Sequence, residues 1–242
     1  MKSEEAFRIV GEPRTGGILV VSDHASNRVP SDIGLGIDPA LLDEHVAVDI
    51  GVASVAERLS RAGFVAFLGN VSRLVCDLNR DEDSPALIPH SSDGHAIPGN
   101  LFDLAGREER VERFYRPYHA ALAALLDEAP PELIVSLHSF TPSLKSRPEE
   151  ARPWEVGVLY NADERAARLA IPLLEAQGLI VGDQQPYSGK LLNATMNRHA
   201  EARGLPYVGI EVRQDLIAAD GDQAEWAERL VRIANDVARK LQ

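Results

Sequence analysis

The segment Gly17-Ile18-Leu19-Val20-Val21-Ser22 is a continuous apolar run rich in β-branched residues, and it indicates the fold class. A strand without polar alternation is buried on both faces, as in a parallel sheet that is covered by helices. Four further runs of this kind follow along the chain: Phe64 to Leu68, Leu133 to Leu137, Val156 to Tyr160 and Tyr207 to Val212. The sequence therefore predicts a sheet whose two faces are both covered.

Amphipathic segments lie between these runs. Apolar residues recur at helical spacing over about 48–59, 111–125, 166–174 and 226–241. Strands that alternate with helices favour an α/β fold, here a three-layer sandwich around a mixed, mostly parallel central sheet. We expect a single domain over residues 1–242, with an irregular, proline- and glycine-rich excursion at about 84–101. A loop of that length is often a lid or a pocket wall.

The composition disfavours several classes of protein. The chain has 25 Lys and Arg against 37 Asp and Glu, a net charge of −12, and its basic residues are scattered, which disfavours nucleic-acid binding. The single cysteine, Cys76, excludes an internal disulfide framework and a cysteine-rich zinc site. No stretch resembles a signal peptide or approaches the roughly 20 apolar residues of a membrane span. We expect a soluble, cytoplasmic protein without membrane partners, and the sequence leaves the oligomeric state open.

Three of the predicted strands bring polar side chains to their carboxyl ends. His24 follows the first strand, His138 follows the third, and Glu211 lies in the last. In open α/β sheets ligands bind beyond the carboxyl ends of the strands, so these residues should meet. A single histidine at a strand end is usually structural, but a carboxylate between apolar neighbours is costly to bury unless it is paired or metal-bound. Together the three residues favour metal or acid–base chemistry.

A second polar segment spans residues 72–81. Its arginines, Arg73 and Arg80, are explained equally well as surface ion pairs or as a fork that binds a carboxylate of an anionic small molecule. Glycine-rich phosphate loops and the G-x-S-x-G element are absent from the sequence, which disfavours nucleotide binding and a serine nucleophile of that type.

Five motifs, in order along the chain, resemble those of the N-formylglutamate amidohydrolase family. They are His24-Ala25-Ser26-Asn27-Arg28-Val29-Pro30, Asp49-Ile50-Gly51, Arg73 through Asp77-Leu78-Asn79-Arg80, His138-Ser139-Phe140-Thr141-Pro142 and Glu211-Val212-Arg213-Gln214-Asp215-Leu216. The resemblance implies a zinc-carboxypeptidase-like α/β fold. It also implies a hydrolase that cleaves the linear N-formyl, or another N-acyl, amide of an acidic amino acid such as N-formyl-L-glutamate.

The resemblance further implies a metal centre that holds Zn²⁺ or another divalent metal. Its ligands would be His24, His138 and one carboxylate. Zinc carboxypeptidases place a ligating glutamate three residues after the first histidine, but this chain has Asn27 there, and an amide oxygen is a poor zinc ligand. We therefore assign the third ligand to Asp49, with Asn27 as the alternative.

The remaining roles follow from the same resemblance. Glu211 would be the general base for a metal-activated water, and Arg73 would stabilise the oxyanion of the tetrahedral intermediate. Asn79 and Arg80 would hold a carboxylate of a small anionic N-acyl amino acid, and Arg213 would hold a second carboxylate if the substrate is a glutamate.

Two other interpretations remain open from the sequence. The same fold and metal could serve an N-acyl-amino-acid or small-peptide hydrolase with a different substrate. A non-catalytic, metal-free binding module on this scaffold is also possible. Asn27 supports the binding module, whereas the presence of Glu211 together with both histidines argues against it.

Overall fold

The computed structural model describes residues 5–242 and is built around a seven-stranded sheet. The strands in chain order are β1 (Phe7–Val10), β2 (Ile18–Ser22), β3 (Val65–Gly69), β4 (Ser91–Ser92), β5 (His95–Ala96), β6 (Leu133–Phe140), β7 (Val156–Leu159), β8 (Val181–Asp183) and β9 (Tyr207–Arg213). The order in the large sheet is β1-β3-β2-β6-β9-β7-β8, and β4 and β5 form a separate hairpin. The pairs β1/β3 and β7/β9 are antiparallel and the other pairs of the large sheet are parallel, so the sheet is mixed and mostly parallel.

Helices cover both faces of this sheet. They are α1 (Val52–Arg61), α2 (Leu104–Arg110), α3 (Arg116–Glu128), α4 (Arg165–Glu175), α5 (Ala194–His199) and α6 (Asp220–Leu241), and a π-helical turn, Val111–Tyr115, joins α2 to α3. The apolar sides of α1, α4 and α6 pack on one face, where Leu59, Ala170 and Leu230 are buried. Side chains of α3 and α5 pack on the other face. The predicted three-layer α/β fold is confirmed.

The five predicted strands are present, and the differences from the sequence analysis concern short elements and boundaries. Strands β1 and β8 were not predicted, because four and three residues are too few to show a period. Helix α1 begins at Val52 and not near residue 48, because Gly51 before it has a φ of +80°. A Cβ atom at Gly51 would lie 2.2 Å from the carbonyl oxygen of Ile217, so only glycine fits this turn.

The excursion at 84–101 is ordered as two short 3₁₀ turns, Pro85–Leu87 and Pro98–Asn100, around the β4–β5 hairpin. Within residues 5–242, none of the helices is both long and apolar enough to cross a membrane.

Candidate metal centre and active-site cavity

The carboxyl ends of the neighbouring central strands β2, β6 and β9 meet at one cavity. His24 lies two residues beyond β2, and His138 on β6 pairs in register with Glu211 on β9. Asp49 lies in the turn that ends at Gly51. One ligand atom from each of His24, Asp49 and His138 lies within 4.8 Å of the other two, and all three side chains are buried. The structure thus brings the three predicted metal ligands together.

The spacing within this group suits a small cation. Oδ2 of Asp49 is 2.9 Å from Nδ1 of His138 and 3.5 Å from Nδ1 of His24. Ligands bound tetrahedrally to zinc at about 2.0–2.1 Å are roughly 3.3 Å apart, close to these separations. Nδ1 of His24 is buried and has no hydrogen-bond partner among the residues that the structure describes. The donor set therefore fits a divalent metal such as zinc.

A buried carboxylate lies behind each of the two imidazoles. Nε2 of His24 is 2.7 Å from Oδ1 of Asp77, and Nε2 of His138 is 3.4 Å from Oδ2 of Asp23. Such carboxylates fix the tautomer and the orientation of metal-binding histidines. The other oxygen of Asp23 accepts hydrogen bonds from two side-chain hydroxyl groups, Thr195 at 2.7 Å and Tyr118 at 2.8 Å.

The electrostatics of this cluster favour positive charge. Burial alone would lower the pKa of the His138 imidazole, but its close contacts with the carboxylates of Asp23 and Asp49 raise it well above its usual value. Burial and Arg73 oppose protonation of His24, yet the charges of Asp77 and Asp49 raise its pKa too. The carboxylates thus hold a positive charge inside the protein, as a site for a bound cation requires.

Glu211 differs from these carboxylates. Burial raises its pKa to about 7, and attraction to protonated His138 only partly opposes the shift. A carboxyl group with a pKa near the working pH can both accept and return a proton. Its neighbour across the sheet is Gly157, where a Cβ atom would lie 2.2 Å from the carbonyl oxygen of Gln185. That glycine lets the segment with Gln185 pass close to the strand beside Glu211.

The cavity has a volume of about 140 Å³, which is smaller than the roughly 300–1,000 Å³ of drug-sized sites. Its lining residues are His24, His45, Asp49, Arg73, Asn79, Arg80, His138, Ser139, Phe140, Thr141, Tyr187, Leu192 and Glu211. This volume suits a small metabolite.

Arg73, predicted to stabilise the oxyanion, and the predicted substrate-binding residues Asn79 and Arg80 all line this cavity. The two terminal nitrogens of Arg73 donate to Asp49 at 3.3 Å and to Asp77 at 3.1 Å. Nη1 of Arg80 donates to the carbonyl oxygen of Asn79 at 3.0 Å. The amide oxygen of Asn79 accepts a hydrogen bond from the backbone of Thr195, which leaves its NH₂ group for a ligand.

Arg213 is the predicted residue that the structure does not bring to the cavity. Its Nε donates to Asp215 at 2.8 Å, and Nη1 reaches the carbonyl oxygens of Pro153 and Trp154. A carboxylate two residues further along the chain thus binds this guanidinium locally. The role that the sequence predicts for Arg213, binding a second substrate carboxylate, is therefore corrected.

Two further expectations also change. Asn27 is not part of the metal group, because its side-chain amide donates to Asp43 at 2.9 Å on the surface. The excursion at 84–101 does not line the cavity, so it is not the expected wall. The excursion contacts one lining residue from outside the cavity: Oδ2 of Asp93 lies 3.1 Å from Nε2 of His45.

Sequence reasoning missed several residues of the site. His45, Tyr187 and Leu192 line the cavity from loops where no period or motif marks them. Asp23 could have been found, because it directly precedes His24 at the end of a buried strand.

Comparison with protein families decides the assignment. Residues 16–218 match the model of the N-formylglutamate amidohydrolase family. The chain belongs to this family. It is therefore a hydrolase that acts on an amide.

Solved structures share the fold of this chain. A gene product of Agrobacterium tumefaciens is 32% identical over 99% of this chain and 98% of its own, with a TM-score of 0.92. N-formylglutamate amidohydrolase from Ralstonia eutropha JMP134 is 21% identical over 98% of each chain, with a TM-score of 0.76, and so shares the fold. A comparison with curated protein sequences gives no significant match.

Proposed function

We propose that this chain hydrolyses the N-formyl amide of N-formyl amino acids, N-formyl-L-glutamate among them, to formate and the free amino acid. We also propose that the reaction requires a divalent metal, with zinc as the first candidate. The observation that carries the proposal is the meeting of His24, Asp49 and His138 beside Glu211 in a cavity that also contains Arg80. Family membership supports the same reaction class.

The metal would be held by Nδ1 of each histidine and by the Asp49 carboxylate. When bound, a divalent metal supplies Lewis acidity, which lowers the pKa of water and polarises a carbonyl group. The carboxylates of Asp77 and Asp23 keep the two imidazoles oriented for this role.

Glu211 moves the proton in the proposed reaction. Its carboxylate takes a proton from the attacking water as the water oxygen bonds to the formyl carbon. When the carbon–nitrogen bond breaks, the same carboxyl group gives that proton to the leaving amine nitrogen. A pKa near 7 suits both directions of transfer.

The arginines and Asn79 bind and orient the substrate. Arg80 and the NH₂ group of Asn79 would hold the α-carboxylate, since a guanidinium binds a carboxylate through two parallel hydrogen bonds. Arg73 is fixed in place by Asp49 and Asp77, and its positive charge at the cavity would stabilise the oxyanion of the tetrahedral intermediate.

The test is formate release from N-formyl-L-glutamate by the full chain, measured before and after dialysis against a chelator and after addition of zinc. We expect activity to be lost on chelation and to return with zinc. Undiminished formate release without metal would contradict the metal-dependent mechanism.

A matched pair of histidine variants tests whether the required metal is bound at the proposed site. His138→Gln should not regain activity with zinc, because it removes a ligand atom. His90→Gln should behave like the wild type, because His90 is an exposed histidine in the 84–101 excursion.

A further inference from the structure

Few side chains of the cavity offer a substrate a permanent positive charge. Among the lining residues of the described chain, only Arg73 and Arg80 carry a permanent positive charge. Arg73 is already shared between the carboxylates of Asp49 and Asp77. Arg80 makes one hydrogen bond, to the carbonyl oxygen of Asn79, and its Nη2 lies 3.7 Å from Asp77, so it retains more of its five N–H groups for a ligand.

The rest of the wall is neutral. Phe140 and Thr141 at the end of β6, together with Tyr187 and Leu192, present aromatic, hydroxyl and aliphatic groups. Burial lowers the pKa of His45 below its usual value despite the nearby Asp93 carboxylate, so the folded protein disfavours the charged form of this imidazole.

A further cation, Arg152, lies behind this wall and contacts two of its residues. The Arg152 side chain is fully buried, bonds to Glu150, and donates to the carbonyl oxygen of Thr141 and to the Tyr187 hydroxyl. Its guanidinium packs over the Tyr187 ring, 5.1 Å from the ring centroid. It therefore positions the neutral wall and is not among the residues that line the cavity.

We propose that the substrate is recognised through a single carboxylate, bound at Arg80, and that its side chain lies against the neutral wall formed by Phe140, Thr141, Tyr187 and Leu192. This inference rests on the proposed function and specifies its substrate class: N-formyl amino acids with uncharged side chains. A second carboxylate at this wall would lose its water without gaining a cation, which is unfavourable. The acidic side chain of glutamate thus gives no advantage.

The test compares N-formyl-L-glutamine with N-formyl-L-glutamate, which match in size and differ in charge. We expect kcat/KM for the glutamine compound to equal or exceed that for the glutamate compound. A preference for glutamate of about tenfold or more would overturn the inference while leaving amide hydrolysis intact. Hydrolysis of neither compound would instead reject the proposed function, and the inference with it.

A charge-introducing variant tests where the side chain lies. Leu192→Arg places a cation on the wall at a residue that is 37% exposed, so the fold should tolerate it. We expect it to shift the ratio of kcat/KM values toward N-formyl-L-glutamate by about tenfold. The control is Leu191→Arg, since Leu191 is 83% exposed and is not a lining residue; it should keep the wild-type ratio. If Leu192→Arg also keeps that ratio, the substrate side chain does not meet this wall.

Discussion

Asp23 and Glu211 are both buried carboxylic acids, yet their surroundings set opposite protonation. Burial raises the pKa of each. At Asp23, the close His138 imidazole, the charge of His24 and a hydrogen bond from Thr195 outweigh burial and lower the pKa to about 2. At Glu211 burial dominates and the pKa rises to about 7. One carboxylate is therefore a permanent anion that orients an imidazole, and the other is a proton carrier.

This difference leads to a prediction for Glu211→Gln. The amide keeps the size of the side chain but cannot take a proton, so kcat for formate release should fall by at least about 10²-fold. KM should change little, because Arg80 and Asn79 hold the substrate. Steady-state kinetics with the metal-loaded enzyme would measure both constants.

The control is Glu175→Gln, an exposed glutamate at the end of α4. It should leave both constants at the wild-type values. Near wild-type turnover by Glu211→Gln would remove Glu211 from the proton-transfer role.

At the scale of elements, the sequence predicts what lies on long, buried strands. Three adjacent central strands carry or precede His24, His138 and Glu211. Because ligands bind at the carboxyl ends of such strands, these residues could be predicted from the sequence. The position of Arg213 was not predictable in the same way, because a local partner, Asp215, competes for its guanidinium. His45 was missed because it lies in a loop, whose conformation depends on contacts distant in sequence.

One of those distant contacts gives a prediction at the tip of the β4–β5 hairpin. The Asp93 carboxylate accepts hydrogen bonds from the backbone amides of Lys145 and Ser146 and faces His45. Burial opposes ionisation, but hydrogen bonds from Ser146 and Lys145 and the charge of His45 lower the pKa of Asp93 from 3.8 to about 2. Because the pKa is lower in the folded state, ionised Asp93 stabilises the fold above about pH 4, and this contribution is lost as the pH falls toward 2.

We expect Asp93→Asn to lower the free energy of unfolding at pH 7 by about 1 kcal/mol, the order of one hydrogen bond to a charged group at a partly solvated site. Urea unfolding between pH 7 and pH 2 would measure the difference from wild type, which should shrink below pH 4. Asp83→Asn, at an exposed aspartate just before the excursion, is the charge-matched control. A difference that stays constant down to pH 2 would mean that the ionisation of Asp93 does not stabilise the fold.

At the scale of the whole molecule, the three-layer architecture explains why the site is preorganised. Strands β2, β6 and β9 are central in the sheet and helices cover both faces, so the residues at their carboxyl ends rest on a rigid core. The chain carries a net charge of −12, and several of its buried carboxylates converge on two imidazoles. The molecule concentrates negative charge where a cation would bind.

The proposed metal centre is tested by zinc binding to the metal-stripped protein, measured by calorimetric titration and then by elemental analysis after desalting. We expect one ion per chain for the wild type and for His90→Gln. We expect loss of this ion in His138→Gln and in Asp49→Asn, with circular dichroism showing that both variants remain folded. A wild-type protein that binds no zinc, or a folded His138→Gln variant that retains a full ion with unchanged affinity, would contradict a metal centre at His24, Asp49 and His138.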